Sequence, residues 1–139
     1  MITGSCLCGA VSYVVRGPLR PVIACHCVQC RRSTGNFVAA TACRRDALAF
    51  FEDRGLRWYR SSARARRGFC AECGSSLFWE RFEGAEDIDH ISIMAGTLDP
   101  PTGLETRAHI FVDFAGDYYL IADGAPQFPA SGHGVPYAE

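Results

Sequence analysis

Seven of the eight cysteines fall into three tight clusters: Cys6-Leu7-Cys8, Cys25-His26-Cys27-Val28-Gln29-Cys30 and Cys70-Ala71-Glu72-Cys73. Cys43 stands alone, in the small apolar run Val38 to Cys43. Two chemistries compete for such a set. Eight cysteines allow four disulfides in about 105 arrangements. Bridges within C-x-C would be strained and would close very small loops. Sulfurs two or three residues apart suit chelation better, because a turn presents both to one ion at the ~2.3 Å Zn–S distance of a tetrahedral site. Counting ligands then divides the set. Cys6, Cys8, Cys70 and Cys73 supply four sulfurs, a closed structural shell that would staple two parts of the chain and return its binding energy as folding energy. Cys25, Cys27 and Cys30 supply three, which leaves an open position, as reactive zinc sites do. Pairing Cys70 and Cys73 with the middle cluster instead would leave Cys6 and Cys8 without partners. His26 as a fourth ligand has poor reach, since both its neighbours already ligate. Cys43 reads as a buried thiol acting as a small hydrophobe.

These sulfurs must be positioned by a modest chain. Its 139 residues make one domain, spanning 1–139, large enough to bury a core without disulfides. The 14 basic and 15 acidic residues leave a formal charge of −1, which argues against a bulk electrostatic grip on nucleic acid or an anionic membrane. All the basic residues are arginine, so a lysine Schiff base and a P-loop lysine are excluded. No apolar run approaches the ~18 residues of a membrane span. The first residues, Met1 to Cys6, have neither the basic cluster nor the apolar stretch of a secretory leader, so a reducing cytoplasm is expected. Arginine and alanine without lysine suggest a GC-rich, bacterial genome.

Helical periodicity is weak throughout, and short β-favouring runs separated by turn residues dominate. Strands are expected over 10–16, 22–24, 37–43, 48–51, 56–60, 67–69, 76–80, 89–95 and 108–112. One helical turn over 27–32 should end at Ser33-Thr34-Gly35, and the chain from Asp123 reads as an irregular tail. The expectation is an all-β domain of several short antiparallel sheets with little helix.

The chain resembles the glutathione-dependent formaldehyde-activating enzyme family, shared with centromere protein V. The matching stretches are 4–11, 25–32, 69–74, 94–99, 109–112 and 121–128, and the combined order C-x-C, C-x-C-x-x-C, C-x-x-C is specific. The resemblance implies a β-tent fold around zinc. It implies a structural zinc on Cys6, Cys8, Cys70 and Cys73, and a second zinc on Cys25, Cys27 and Cys30 beside the active site. It further implies a carbon–sulfur lyase reaction that joins glutathione to formaldehyde as S-hydroxymethylglutathione.

Thiol addition to an aldehyde needs a thiolate and a polarised carbonyl. Three thiolates on one zinc make a poor Lewis acid, so capture of the substrate thiol is the expected role, with Cys25, Cys27 and Cys30 as the catalytic set. Glutathione carries two carboxylates, and Arg31 and Arg32 directly follow the open cluster as candidate forks. A second basic stretch holds Arg54, Arg57, Arg60, Arg64, Arg66 and Arg67; it reads as a solvated face or as a groove for an anionic partner. Asn36 and Phe37 could wall the pocket, although Phe37 reads more readily as core packing; His109 could shuttle protons, although it reads more readily as a satisfied structural histidine. His90 and His133 carry no local signal, and Trp58 and Trp79 read as core or rim aromatics. Two other functions fit the cysteines: a non-catalytic zinc module for a protein or nucleic-acid partner, and a thiol redox or metal-responsive protein.

Overall fold

The computed structural model describes residues 1–82 and 89–131. Ten strands and one short helix follow in order: β1 (Ile2–Ser5), β2 (Ser12–Val15), β3 (Val22–Cys25), α1 (Val28–Thr34), β4 (Val38–Arg44), β5 (Leu48–Glu52), β6 (Leu56–Arg60), β7 (Ala65–Cys70), β8 (Ser76–Arg81), β9 (His90–Met94) and β10 (Thr106–Ile110). They form two sheets. A three-stranded sheet runs β1-β2-β5, and a seven-stranded sheet runs β10-β3-β4-β9-β8-β7-β6. Every pair is antiparallel except β10 with β3, which runs parallel. The all-β expectation is met, with α1 and three 3-10 turns as the helical content among the described residues.

The core lies between the sheets. Tyr13 and Val15 from the smaller sheet, with Val11 just before β2, meet Cys43, Leu77, Phe78, Ile91 and Ile93 from the larger. Tyr13 is fully buried, packs edge-on to Phe78 at 5.3 Å and hydrogen-bonds Thr97 Oγ1 through its hydroxyl at 2.6 Å. That ring explains a residue in β1 that sequence patterning missed. A Cβ on Gly4 would come within 2.4 Å of the Tyr13 hydroxyl, so only glycine lets β1 lie beneath the ring. Cys43 sits in the same core, 1% exposed, and burial pushes its thiol up to about 11. The lone cysteine is therefore a small hydrophobe, as expected.

No helix among the described residues is long and apolar enough to cross a membrane. The tail after Asp123 is irregular as far as it is described. It is tied to β10 by a bridge of Gln127 to His109, by the Phe128 N–H on the His109 carbonyl and by the Phe111 N–H on the Ala130 carbonyl, both at 2.9 Å, and Phe128 packs against Ile23 and Ala108. His133 lies outside the described residues.

Candidate functional site

The first cluster forms where two tight turns meet. Residues 6–11 join β1 to β2, closed by the Cys6 N–H on the Val11 carbonyl at 2.9 Å, with Gly9 in the left-handed region. Residues 70–75 join β7 to β8, closed by the Gly74 N–H on the Cys70 carbonyl at 2.7 Å, with Gly74 also left-handed. Glycine takes these φ values without steric cost. The result brings the sulfurs of Cys6, Cys8, Cys70 and Cys73 within 4.8 Å of one another. Cys6 to Cys8 is 3.7 Å and Cys8 to Cys70 is 3.8 Å. A regular tetrahedron of Zn–S bonds has edges of about 3.8 Å. A disulfide would need about 2.05 Å, and all eight cysteines are free thiols. The Val11 N–H points at Cys6 Sγ from 3.2 Å, and the Ser75 hydroxyl lies 3.2 Å from Cys73 Sγ. The side chain and backbone of Ser75 draw the Cys73 thiol down to about 5. Donors aimed at sulfur favour thiolates, which is the form a metal requires.

The second cluster is built by the end of β3 and the start of α1. Cys25 closes the strand, Cys27 is the N-cap of α1 and accepts from the Cys30 N–H at 3.3 Å, and Cys30 lies in the first helical turn. Gly35 stops the helix in the left-handed conformation, returning its N–H to the Arg31 carbonyl. The three sulfurs lie within 4.8 Å of one another, with Cys30 buried and the other two half-buried. Hydrogen bonds from Cys25 and Cys30 pull the Cys27 thiol down to about 2, and the helix N–H groups of Cys30 and Gln29 add to the effect. Cys25 is pushed up in turn by the same two sulfurs and by burial. Cys27 is thus the first of the three to carry charge. The alternative pairing of Cys70 and Cys73 with this cluster is not what the fold makes.

His26 is not a fourth ligand. Its ring is 1% exposed and points away into a hydrogen-bonded chain. Nδ1 lies 2.6 Å from the Tyr119 hydroxyl, and Nε2 lies 2.9 Å from His109 Nδ1. His109 Nε2 lies 2.8 Å from Asp123 Oδ2, whose other oxygen accepts from the Ala125 N–H at 3.0 Å. Burial, then the neighbouring His109, hold His26 below its ordinary value. The His109 contact holds Asp123 below the usual carboxylate range. Phe37 stacks on His26 at 4.7 Å and meets Tyr119 at 5.4 Å, so it walls this side of the cluster. Asn36 accepts from the Tyr118 hydroxyl at 2.7 Å, pinning the 116–120 segment to the end of α1. Sequence reasoning missed Tyr119 and Asp123. No local pattern marks either, because their partners are 93 and 14 residues away.

The arginines separate by face. Arg31 is half-buried and its Nε has no hydrogen-bond partner; Arg32 is exposed. Alternation along β7 sends two consecutive arginines in opposite directions. Arg66 stacks over Trp58 at 4.0 Å and grips the buried Glu80 carboxylate, with Arg45 on its other oxygen. Arg67 turns to the other face and donates from Nη2 to Cys30 Sγ at 3.7 Å. Arg54 pairs with Glu52 and Glu72, and Arg60 caps the Ala63 carbonyl. The basic stretch is therefore not one continuous surface. A cleft of about 240 Å³ opens beside Arg67, floored by Val38, Met94 and Phe78 and rimmed by α1. Val38 and Met94 also pack against the three cysteines, so cleft and cluster are neighbours.

Comparison with known proteins agrees with this arrangement. A family model described as glutathione-dependent formaldehyde-activating enzyme matches residues 1–114. No curated protein gives a match. The crystal structure of a Rhodobacter sphaeroides protein superposes with a TM-score of 0.58 at 22% identity, over 90% of this chain and 98% of that one, which speaks for the fold.

Proposed function

Since the chain belongs to the glutathione-dependent formaldehyde-activating enzyme family, we propose that it is a zinc-dependent carbon–sulfur lyase working on a glutathione–aldehyde adduct. The observation that carries this reading is the inequality of the two clusters: four sulfurs in one and three in the other. Cys6, Cys8, Cys70 and Cys73 fit a structural zinc that staples the β1–β2 turn to the β7–β8 turn. Cys25, Cys27 and Cys30 fit a second zinc with one position left for a substrate thiol. A zinc ion there would stabilise that thiol as its thiolate.

The chain's own residues supply the rest. Cys27, whose sulfur accepts from the Cys30 N–H at the start of α1, is the sulfur of the three that the fold most favours as an anionic ligand. His26, locked between Tyr119 and His109, fixes the backbone of the Cys25–Cys27 segment. Phe37 keeps water from that flank. Arg31 and Arg32, which follow the cluster along α1, are the proposed partners of a glutathione carboxylate. In the reaction the substrate sulfur attacks the carbonyl carbon. A C–S bond forms, the C=O π pair moves to oxygen, and that oxygen takes a proton equivalent to the one the thiol lost. The reverse breaks the same bond. The domain spans 1–139 and works in the reducing cytoplasm, where its free thiols persist.

The test is exchange between formaldehyde, glutathione and S-hydroxymethylglutathione at equilibrium, followed by NMR. The zinc-loaded protein should accelerate exchange above the spontaneous rate. Cys27→Ser should abolish that acceleration while leaving the circular dichroism spectrum intact. A folded Cys27→Ser protein with an undiminished rate would remove the lyase reading.

A further inference from the structure

Arg67 belongs to two places at once. Its Nη2 reaches Cys30 Sγ, and its side chain forms one wall of the cleft between α1 and β7. A guanidinium carries five N–H donors in a planar fork. Among the described residues its one hydrogen bond is to Cys30, so the fork has donors left for a ligand in the cleft. Another flank of the cluster is filled by Phe37, His26 and Tyr119, whose rings pack against each other with centroids 4.7–5.5 Å apart. The cleft brings a ligand to Arg67 and to Val38 and Met94, which separate it from the cysteines they pack against.

Charge points the same way. Three cysteinates around a divalent ion leave one negative charge in excess, and Arg67 is the cation touching that cluster. A substrate thiolate would add a further negative charge, and a carboxylate on the same molecule another. An uncompensated pair of anions in a half-buried cleft is costly, so the cation is placed where binding needs it. The remaining wall is mixed. Val38, Met94 and Phe78 are apolar, while Tyr59 and Ser76 bring hydroxyls to the rim. Such a lining suits a short chain of methylenes and amides that ends in a carboxylate.

We infer that the α1–β7 cleft seats one carboxylate-bearing arm of a peptide thiol, with Arg67 as the fork that binds it while its sulfur faces Cys25, Cys27 and Cys30. This rests on the thiol-binding reading above and adds where the thiol lies and what selects it. Arg67 then favours anionic thiols over neutral ones of the same shape.

The experiment is calorimetric titration of the zinc-loaded protein with glutathione and with its dimethyl ester, which keeps the thiol and removes both carboxylate charges. The native protein should prefer the acid. Arg67→Gln should lower the acid-to-ester affinity ratio roughly tenfold, the scale of one charge-assisted hydrogen bond. Arg67→Lys should retain part of the preference. Because Arg67 also touches Cys30, a second variant leaves it in place. Ser76→Asp puts a negative charge on the same wall and should weaken the acid several-fold without weakening the ester. An acid-to-ester ratio unchanged in both variants, with glutathione still binding, overturns this inference alone. Failure of the native protein to bind either thiol overturns it together with the proposed function.

Discussion

His26 Nε2 and His109 Nδ1 lie 2.9 Å apart in the interior, with the rings of both residues out of solvent. Two imidazoles at that distance share one proton, and the ends of the chain decide where it sits. Asp123 is ionised, so His109 Nε2 donates to it. His109 Nδ1 then accepts from His26 Nε2, and His26 Nδ1 accepts from the Tyr119 hydroxyl. In that arrangement every donor along the chain from Tyr119 to Asp123 faces an acceptor. The residue between Cys25 and Cys27 is thereby oriented by a segment that follows the family-matched region.

Tyr119→Phe removes the hydroxyl at one end and leaves a buried ring nitrogen unpartnered. A cost of about 1–3 kcal/mol is expected in urea denaturation. Loosening the ring should also speed metal release from the Cys25/Cys27/Cys30 site by roughly tenfold, as loss of outer hydrogen bonds does elsewhere. Release from the four-cysteine site should be unchanged. A chromophoric chelator resolves the two phases, and equal acceleration of both would refute a local role.

Gly55 lies under the four-cysteine site. A Cβ there would stand 2.8 Å from Cys70 Sγ and 2.9 Å from Ala10 Cβ. Gly55→Ala must push the two turns apart and should destabilise the fold by about 1–3 kcal/mol. The loss should shrink in apo protein, where the cysteines are free to shift. Thermal melts of both forms measure the difference.

Glu80 is buried between Arg45 and Arg66, opposite Arg66 in the β7–β8 register. Glu80→Ala removes the carboxylate that both guanidinia share. Each arginine is about a third exposed, at 36% and 35%, so solvent relieves part of the penalty. A loss of about 2–3 kcal/mol is expected, below the ~3–5 kcal/mol of a fully buried pair. An unchanged urea midpoint would show the pair to be merely superficial.

Burial pushes the Tyr13 phenol from 10.0 up to about 12, against the opposing hydrogen bond of Thr97 and with help from the charges of Asp99 and Cys43. The neutral phenol is the folded form. Its contribution is complete below pH 10, where both states are protonated, and is lost as pH rises toward 12. About 2–3 kcal/mol should disappear across that window. Tyr13→Phe should remove most of this alkaline slope in a series of denaturant melts.

Much of this architecture is written locally. The cysteine spacings separate the four-sulfur from the three-sulfur cluster, because each pair closes within one turn. Gly35 marks the end of α1, and the β-favouring runs mark nine of the ten strands. What escaped was non-local. β1 is hidden by Gly4, whose presence makes sense only once Tyr13 lies over it. The parallel pairing of β10 with β3 joins segments about eighty residues apart and leaves no short-range sign. The Arg54–Arg67 stretch looked uniform because charge is visible in sequence and facing is not. The pleat of β7 gives Arg66 to Glu80 and Arg67 to Cys30. His109 was a proton-shuttle candidate on residue type alone; its partners His26 and Asp123 appear only in three dimensions.

The central claim is two metal sites of unequal kind, and metal content tests it most directly. Protein purified without chelators should carry two zinc ions per chain by elemental analysis. Cys27→Ser should carry one and remain folded, while Cys73→Ser should lose stability along with its structural ion. One zinc in both the native protein and Cys27→Ser would contradict the account, leaving a staple without a reactive centre.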